Sequence, residues 1–211
     1  MTDWGELLKE TSVIPVLVID RIEDAVPLAS TLVDAGLRVL EITLRTPASR
    51  EAIQEILNGV PQAVIGAGTV LDADQLNEMA ELGVRFAVSP GHTPALLDAA
   101  RETGLPFLPG AQTLAEILFV REHGFYFQKF FPAGLNGGTA MLKSISTVVQ
   151  DVNFCPTGGV SPDNAHAYLS LPNVACVGGS WIAPRDLIMA GRWDEIFSLA
   201  KAARLLNPGN P

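Results

Sequence analysis

Eight short apolar runs, many of them β-branched, recur along this sequence: Val13–Ile19, Val39–Thr43, Ala63–Ala67, Phe86–Ser89, Pro106–Pro109, Phe127–Phe130, Asn153–Pro156 and Val174–Val177. Their starts lie about 20 to 26 residues apart, room for one strand and one crossover helix each. Runs that are apolar on both faces belong in a parallel sheet covered on both sides. The intervening segments carry helical patterns. Ile22–Ala35 places Ala25, Leu28, Ala29, Leu32 and Val33 on one face, and Asp72–Leu82 does the same with Leu76, Met79 and Ala80. Gly36, Gly83 and Gly104 follow three of these helices as C-terminal stops. Eight βα units in one short chain predict an α/β architecture, a closed (β/α)8 barrel. An open doubly wound sheet is the alternative, but it usually shows a glycine-rich fingerprint after its first strand, and Ile19–Ile22 has none. Trp4–Lys9 is expected to form a short helix closing the barrel bottom, and Ala183–Leu206 the last helix. No linker or charge block divides residues 1–211, so a single domain is expected.

Hydrophobic residues make up 48% of the chain and charged ones 18%, ample for one large core. A formal net charge of -9 repels polyanions and argues against nucleic acid or an acidic membrane as a partner. The polar start of the chain is no secretory signal, and runs such as Val13–Ile19 are too short to span a bilayer, so a cytoplasmic protein is expected. Cys155 and Cys176 each lie in an apolar run and read as buried, reduced thiols.

In such a barrel the chemistry gathers where strands end, and nearly every strand here ends in polar or glycine residues. Lys129 is the most informative, because it interrupts the aromatic strand Phe125–Phe131, where alternation puts it on the face of Phe127 and Phe131. An ammonium there is poorly solvated, which favours the neutral amine that attacks a ketone. The competing role, a lysine guarding a sheet edge, has no place in a closed barrel. Glu41 shares its strand face with Val39 and Thr43 and points into the same mouth, as a proton shuttle or as a structural salt-bridge partner of Lys129 or Arg45. Arg45 and Thr69 are the natural anchors for a substrate carboxylate, with a surface cap for the next helix as the lesser alternative for Arg45.

Gly158-Gly159 and Gly178-Gly179-Ser180 follow strands seven and eight, the two loops where barrels commonly receive phosphate on bare N–H groups. Either pair alone would also be an ordinary tight turn. His92, His123 and His166 are isolated, with no second histidine at ligand spacing, so no metal is expected. No serine or cysteine sits in a nucleophile elbow.

Five motifs, Val39–Thr46 (VLEITLRT), Gly66–Leu71 (GAGTVL), Lys129–Ala133 (KFFPA), Phe154–Val160 (FCPTGGV) and Val177–Trp181 (VGGSW), together resemble the class I 2-keto-3-deoxy-6-phosphogluconate (KDPG) and 4-hydroxy-2-oxoglutarate (KHG) aldolases. The likeness runs in order from about Val13 to Trp181. It implies a (β/α)8 barrel, usually a homotrimer, with no metal or organic cofactor. It also implies cleavage of KDPG to pyruvate and glyceraldehyde 3-phosphate, an Entner–Doudoroff reaction of carbohydrate metabolism, and of 4-hydroxy-2-oxoglutarate to pyruvate and glyoxylate. By the same resemblance Lys129 matches the Schiff-base lysine and Glu41 the general acid/base. Arg45 and Thr69 match the pyruvate-binding residues, with Pro90 lining that site, and Gly158, Gly159, Gly179 and Ser180 match the phosphate contacts. Two positions depart: Gly134 stands where many members carry glutamate, and His92 where many carry an aliphatic residue. The galactonate epimer as substrate, a metal-independent phosphosugar isomerase or epimerase, and a non-catalytic sugar-phosphate-binding barrel remain the alternatives.

Overall fold

The computed structural model describes residues 4–8 and 11–206. Among them the strands are β1 (Val13–Leu17), β2 (Val39–Thr43), β3 (Val64–Gly68), β4 (Phe86–Val88), β5 (Phe107–Leu108), β6 (Gly110–Ala111), β7 (Phe127–Phe130), β8 (Asn153–Pro156) and β9 (Val177–Gly179). The α-helices are α1 (Trp4–Leu7), α2 (Ala25–Asp34), α3 (Ser49–Gly59), α4 (Ala73–Leu82), α5 (Pro94–Thr103), α6 (Leu114–Glu122), α7 (Gly138–Ser146), α8 (Pro162–Leu169), α9 (Arg185–Met189) and α10 (Trp193–Arg204).

Every strand pairing is parallel, in two arcs ordered β5-β4-β3-β2-β1-β9 and β6-β7-β8. The arcs form one ring. Between β5 and β6 lies Pro109, which has no N–H to offer a ladder, and there the chain changes partner: β5 pairs with β4 and β6 with β7. The other seam is closed by isolated parallel bridges, Phe154 to Val174 and Thr157 to Gly178. β5 and β6 are therefore one barrel strand, and the ring is the (β/α)8 barrel expected from the sequence.

Strand alternation divides the core in two. Leu40, Ile42, Ile65, Ala67, Phe130 and Phe154 point outward and pack beneath the helices. Ile14, Val39, Phe86, Val88, Leu108, Cys155 and Cys176 fill the barrel interior. Trp4 of α1 stacks edge-on against Phe86 and Phe127, at 5.4 and 5.0 Å between ring centroids, and so plugs the bottom with Leu7. This is the expected short N-terminal helix; Lys9 lies outside the described residues.

Several expected boundaries move. The eighth strand is Val177–Gly179 rather than Val174–Val177, because pairing with β1 begins at Val177, opposite Val13, while Val174 contributes one bridge. The first strand stops at Leu17, the third runs from Val64 to Gly68, and the fourth stops at Val88. Ala183–Leu206 is two helices, since Pro184 precedes α9 and Gly191, at φ +64°, breaks the chain before α10. The segment from Ile22 opens as a 3-10 turn, Ile22–Asp24, before α2, and Val33 and Ala80 are half-buried. Gly36, Gly83 and Gly104 all adopt positive φ at helix ends, as expected. Cys155 and Cys176 are free and buried. No helix among the described residues is long and apolar enough to cross a membrane.

Room inside the barrel is scarce. A Cβ on Gly66 would stand 2.1 Å from the ring of Phe86, itself fully buried. Gly66→Ala is expected to cost roughly 1–3 kcal/mol by overpacking, read as a lowered urea midpoint; an unchanged midpoint would show that Phe86 moves aside freely.

Candidate active site

Lys129 is the third residue of β7, and alternation turns it inward while Gln128 and Phe130 face the helices. Gln128 is held there by its side-chain amide, whose Nε2 donates to the carbonyls of Ile117 and Phe125. Across the barrel, Glu41 is the central residue of β2 and also points inward. Lys129 Nζ donates to Glu41 Oε1 at 3.3 Å, and the two residues are 2% and 3% exposed. A carboxylate and an amine at that separation can exchange a proton directly or through one water. The expected salt bridge between Glu41 and Lys129 is present, and the expected proton shuttle would act across the same contact.

The carboxylate has this position because β3 makes way for it. A Cβ on Gly68 would lie 2.2 Å from Glu41 Oε1, so only glycine leaves the side chain its path. On the other side of Lys129, the ring of Phe131 is centred 5.3 Å from Nζ. Gly110 pairs in register with Lys129, and the carbonyl of Pro90 presses on Gly110, 2.2 Å from where its Cβ would be. Pro90 therefore packs one strand away from the lysine. His92 Nδ1 donates to the Gly110 carbonyl at 2.7 Å and pins the same loop.

Above the pair, Arg45 Nε donates to Thr69 Oγ1 at 3.0 Å. Thr69 has φ +60°, a left-handed conformation that costs a β-branched residue about 1–3 kcal/mol and that persists only where surrounding structure enforces it. No carboxylate pairs with Arg45 among the described residues, so its charge is free to receive an anion.

Arg45 shares a cavity of about 100 Å³ with Gly158, Gly159, Ser180, Val16, Phe131 and Thr157. Val16 is the register neighbour of Glu41, and Phe131 lies against Lys129, so the cavity is one side chain removed from the buried pair. Gly158 and Gly159 adopt consecutive positive φ values, +86° and +80°, which other residues rarely adopt. Gly179 does not border the cavity; it pairs with Pro15 and packs under the indole of Trp181. Thr157 was not singled out from sequence, yet it faces the cavity and leans on Gly178. Counting by twos from the inward Cys155 would have found it.

Charges around the mouth are tied down in pairs. Hydrogen bonding to Arg185 holds the Asp20 carboxyl below the usual range and ties the loop after β1 to α9. Deep inside, burial pushes the Cys176 thiol well up, with Cys155 and then Glu41 adding to the effect, so Cys176 is a packing group rather than a nucleophile. Among the described residues no three His, Cys, Asp or Glu side chains converge as a metal site.

A family model described as KDPG and KHG aldolase matches residues 5–199. The chain is 48% identical to a 2-dehydro-3-deoxy-phosphogluconate aldolase of Pseudoalteromonas atlantica, covering 94% of this chain and 92% of that protein. It is 47% identical to a KHG/KDPG aldolase of Escherichia coli, covering 96% and 95%. Its fold superposes with TM-score 0.93 and 45% identity, over 96% and 98% of the two chains, on a KDPG aldolase of Legionella pneumophila captured with pyruvate as a covalent carbinolamine. A parallel barrel with a buried lysine–carboxylate pair, matched along nearly its whole length in sequence and in shape, belongs to the KDPG and KHG aldolase family.

Proposed function

We propose that this protein is a Schiff-base aldolase that cleaves KDPG to pyruvate and glyceraldehyde 3-phosphate, with 4-hydroxy-2-oxoglutarate, giving pyruvate and glyoxylate, as a second substrate. The observation that carries this reading is the Lys129–Glu41 pair, 3.3 Å apart and buried beneath a cavity that holds an unpaired guanidinium. The carbinolamine captured in the Legionella pneumophila relative is the intermediate such a lysine forms.

In this mechanism the neutral Lys129 amine attacks the C2 carbonyl, and Glu41 carries protons as the carbinolamine loses water. The protonated imine withdraws electrons. Removal of the C4 hydroxyl proton then breaks the C3–C4 bond, releases the aldehyde and leaves an enamine on the lysine. Protonation at C3 and hydrolysis free pyruvate and regenerate the amine. Arg45 and Thr69 hold the keto-acid carboxylate, with Pro90 beside it. Gly158, Gly159 and Ser180, which border the cavity, receive the phosphate on N–H groups and a hydroxyl, and Gly179 leads the chain into Ser180. No cofactor takes part. We further propose that residues 1–211 act as one aldolase domain in the cytoplasm, serving an Entner–Doudoroff step of carbohydrate metabolism.

A homotrimer is the proposed assembly, consistent with apolar surface at Leu135, Val148 and Leu205, which are strongly exposed in the single chain. Sedimentation equilibrium should return three times the 22.4 kDa chain mass, and a monomer at all concentrations would exclude it.

Incubation with pyruvate followed by borohydride reduction should add one pyruvyl group at Lys129, located by mass spectrometry. An unmodified lysine would exclude covalent catalysis and leave the isomerase or binding-barrel alternatives. Assay of both C4 epimers decides between the gluconate and galactonate substrates. Glu41→Gln should still bind pyruvate but turn over roughly a hundredfold or more slowly, because the shuttle is gone; near-normal turnover would remove Glu41 from the mechanism.

A further inference from the structure

On the outer side of the loop after β8, a second hollow of about 470 Å³ lies between α7 and α8, bordered by Gly134, Gly138, Thr139, Gly159, Asn164 and Tyr168. It shares only the Gly159 wall with the barrel-mouth cavity. At the first turn of α7 the N–H of Gly138 is taken by the Ala133 carbonyl, but those of Thr139 and Ala140 have no partner among the described residues. A helix start with free N–H groups carries positive potential, which alone would identify nothing.

The second observation is Tyr168. Its side chain comes from α8, the residue is only 3% exposed, and its hydroxyl stands 3.1 Å from where a Cβ on Gly138 would be, directly over the start of α7. That hydroxyl makes no hydrogen bond among the described residues, and in an otherwise buried side chain it is the polar tip left open to the hollow. Burial pushes the phenol up, so it stays protonated and a donor near neutral pH. Asn164 cannot satisfy it, since its Nδ2 donates to the Gly159 carbonyl and its Oδ1 accepts from the Ser161 N–H. No carboxylate borders the hollow. Unpaired donors thus converge on a space walled mostly by glycine and alanine, whose small side chains leave a ligand room to approach.

We propose that this hollow binds a small oxyanion, a carboxylate or a phosphate group, between the N-terminus of α7 and the Tyr168 hydroxyl. The ligand accepts hydrogen bonds from the Thr139 and Ala140 N–H groups on one side and from the phenol on the other. The site backs onto the candidate phosphate loop at Gly159 but uses different donors, and it does not depend on the aldolase reading.

Titration of the ¹⁵N-labelled full chain with inorganic phosphate, and separately with sodium acetate, at constant ionic strength tests this directly. The Thr139 and Ala140 amide resonances should shift saturably, with a binding curve of their own, distinct from any response at Gly179 and Ser180. Shifts with both anions indicate a general oxyanion site, and shifts with phosphate alone narrow the ligand to phosphate; either result supports the proposal. Tyr168→Phe removes one donor and no protein partner, and should weaken the response at Thr139 and Ala140 about tenfold while leaving that at Ser180 unchanged. The proposal fails if neither anion shifts Thr139 and Ala140 saturably, or if Tyr168→Phe binds as tightly as the parent chain.

Discussion

A charged pair inside a barrel is costly to keep. Desolvating an ammonium and a carboxylate carries a penalty of several kcal/mol per ion, offset only when the two remain together in good geometry. Lys129 and Glu41 meet that condition from strands on opposite sides of the ring. Much of the interior is arranged around them. Gly68 leaves the carboxylate its path, Gly110 brings the loop of Pro90 against the strand beside the lysine, and Phe131 covers the amine. Below, α1 and the rings of Phe86 and Phe127 pack across the bottom of the barrel, on the side away from the mouth.

A chain of net charge -9 can receive an anionic substrate only where positive charge is left available locally. The field that matters is local. Most cationic side chains near the mouth are spent in ion pairs, as Arg185 is with Asp20 and Arg21 with Asp24. Among the described residues Arg45 bonds only a hydroxyl, that of Thr69, and so keeps its charge available at the cavity. The left-handed backbone of Thr69 is consistent with strain retained where a side chain must be aimed. Farther out, the proposed anion contacts are N–H groups rather than side-chain charges: glycines at positive φ on the barrel side, and the start of α7 on the other.

How legible an element was depended on how local its cause is. The bounds of β2, β7 and β8 agree with expectation because each is a self-contained run flanked by polar or turn residues. β9 was misplaced by three residues, because its ends are set by pairing with β1 rather than by its own composition. The break at Pro109 follows from proline chemistry, but its consequence, a strand that changes partner, required the ring. Thr157 was overlooked for a similar reason: nothing in its neighbourhood separates a cavity wall from a turn until β8 has a fixed inward face.

The sequence by itself determined the repeated βα pattern, the inward face of Lys129 and Glu41, and the left-handed glycine stops, since alternation, helical period and glycine's freedom act over a few residues. Only the tertiary structure decided that Lys129 and Glu41 touch, that Arg45 bonds Thr69 instead of a carboxylate, and that Tyr168 hangs over the start of α7. Those contacts span from 24 to 88 residues of chain and depend on how the ring closes. Closure is a property of all the strands at once, so no single segment encodes it.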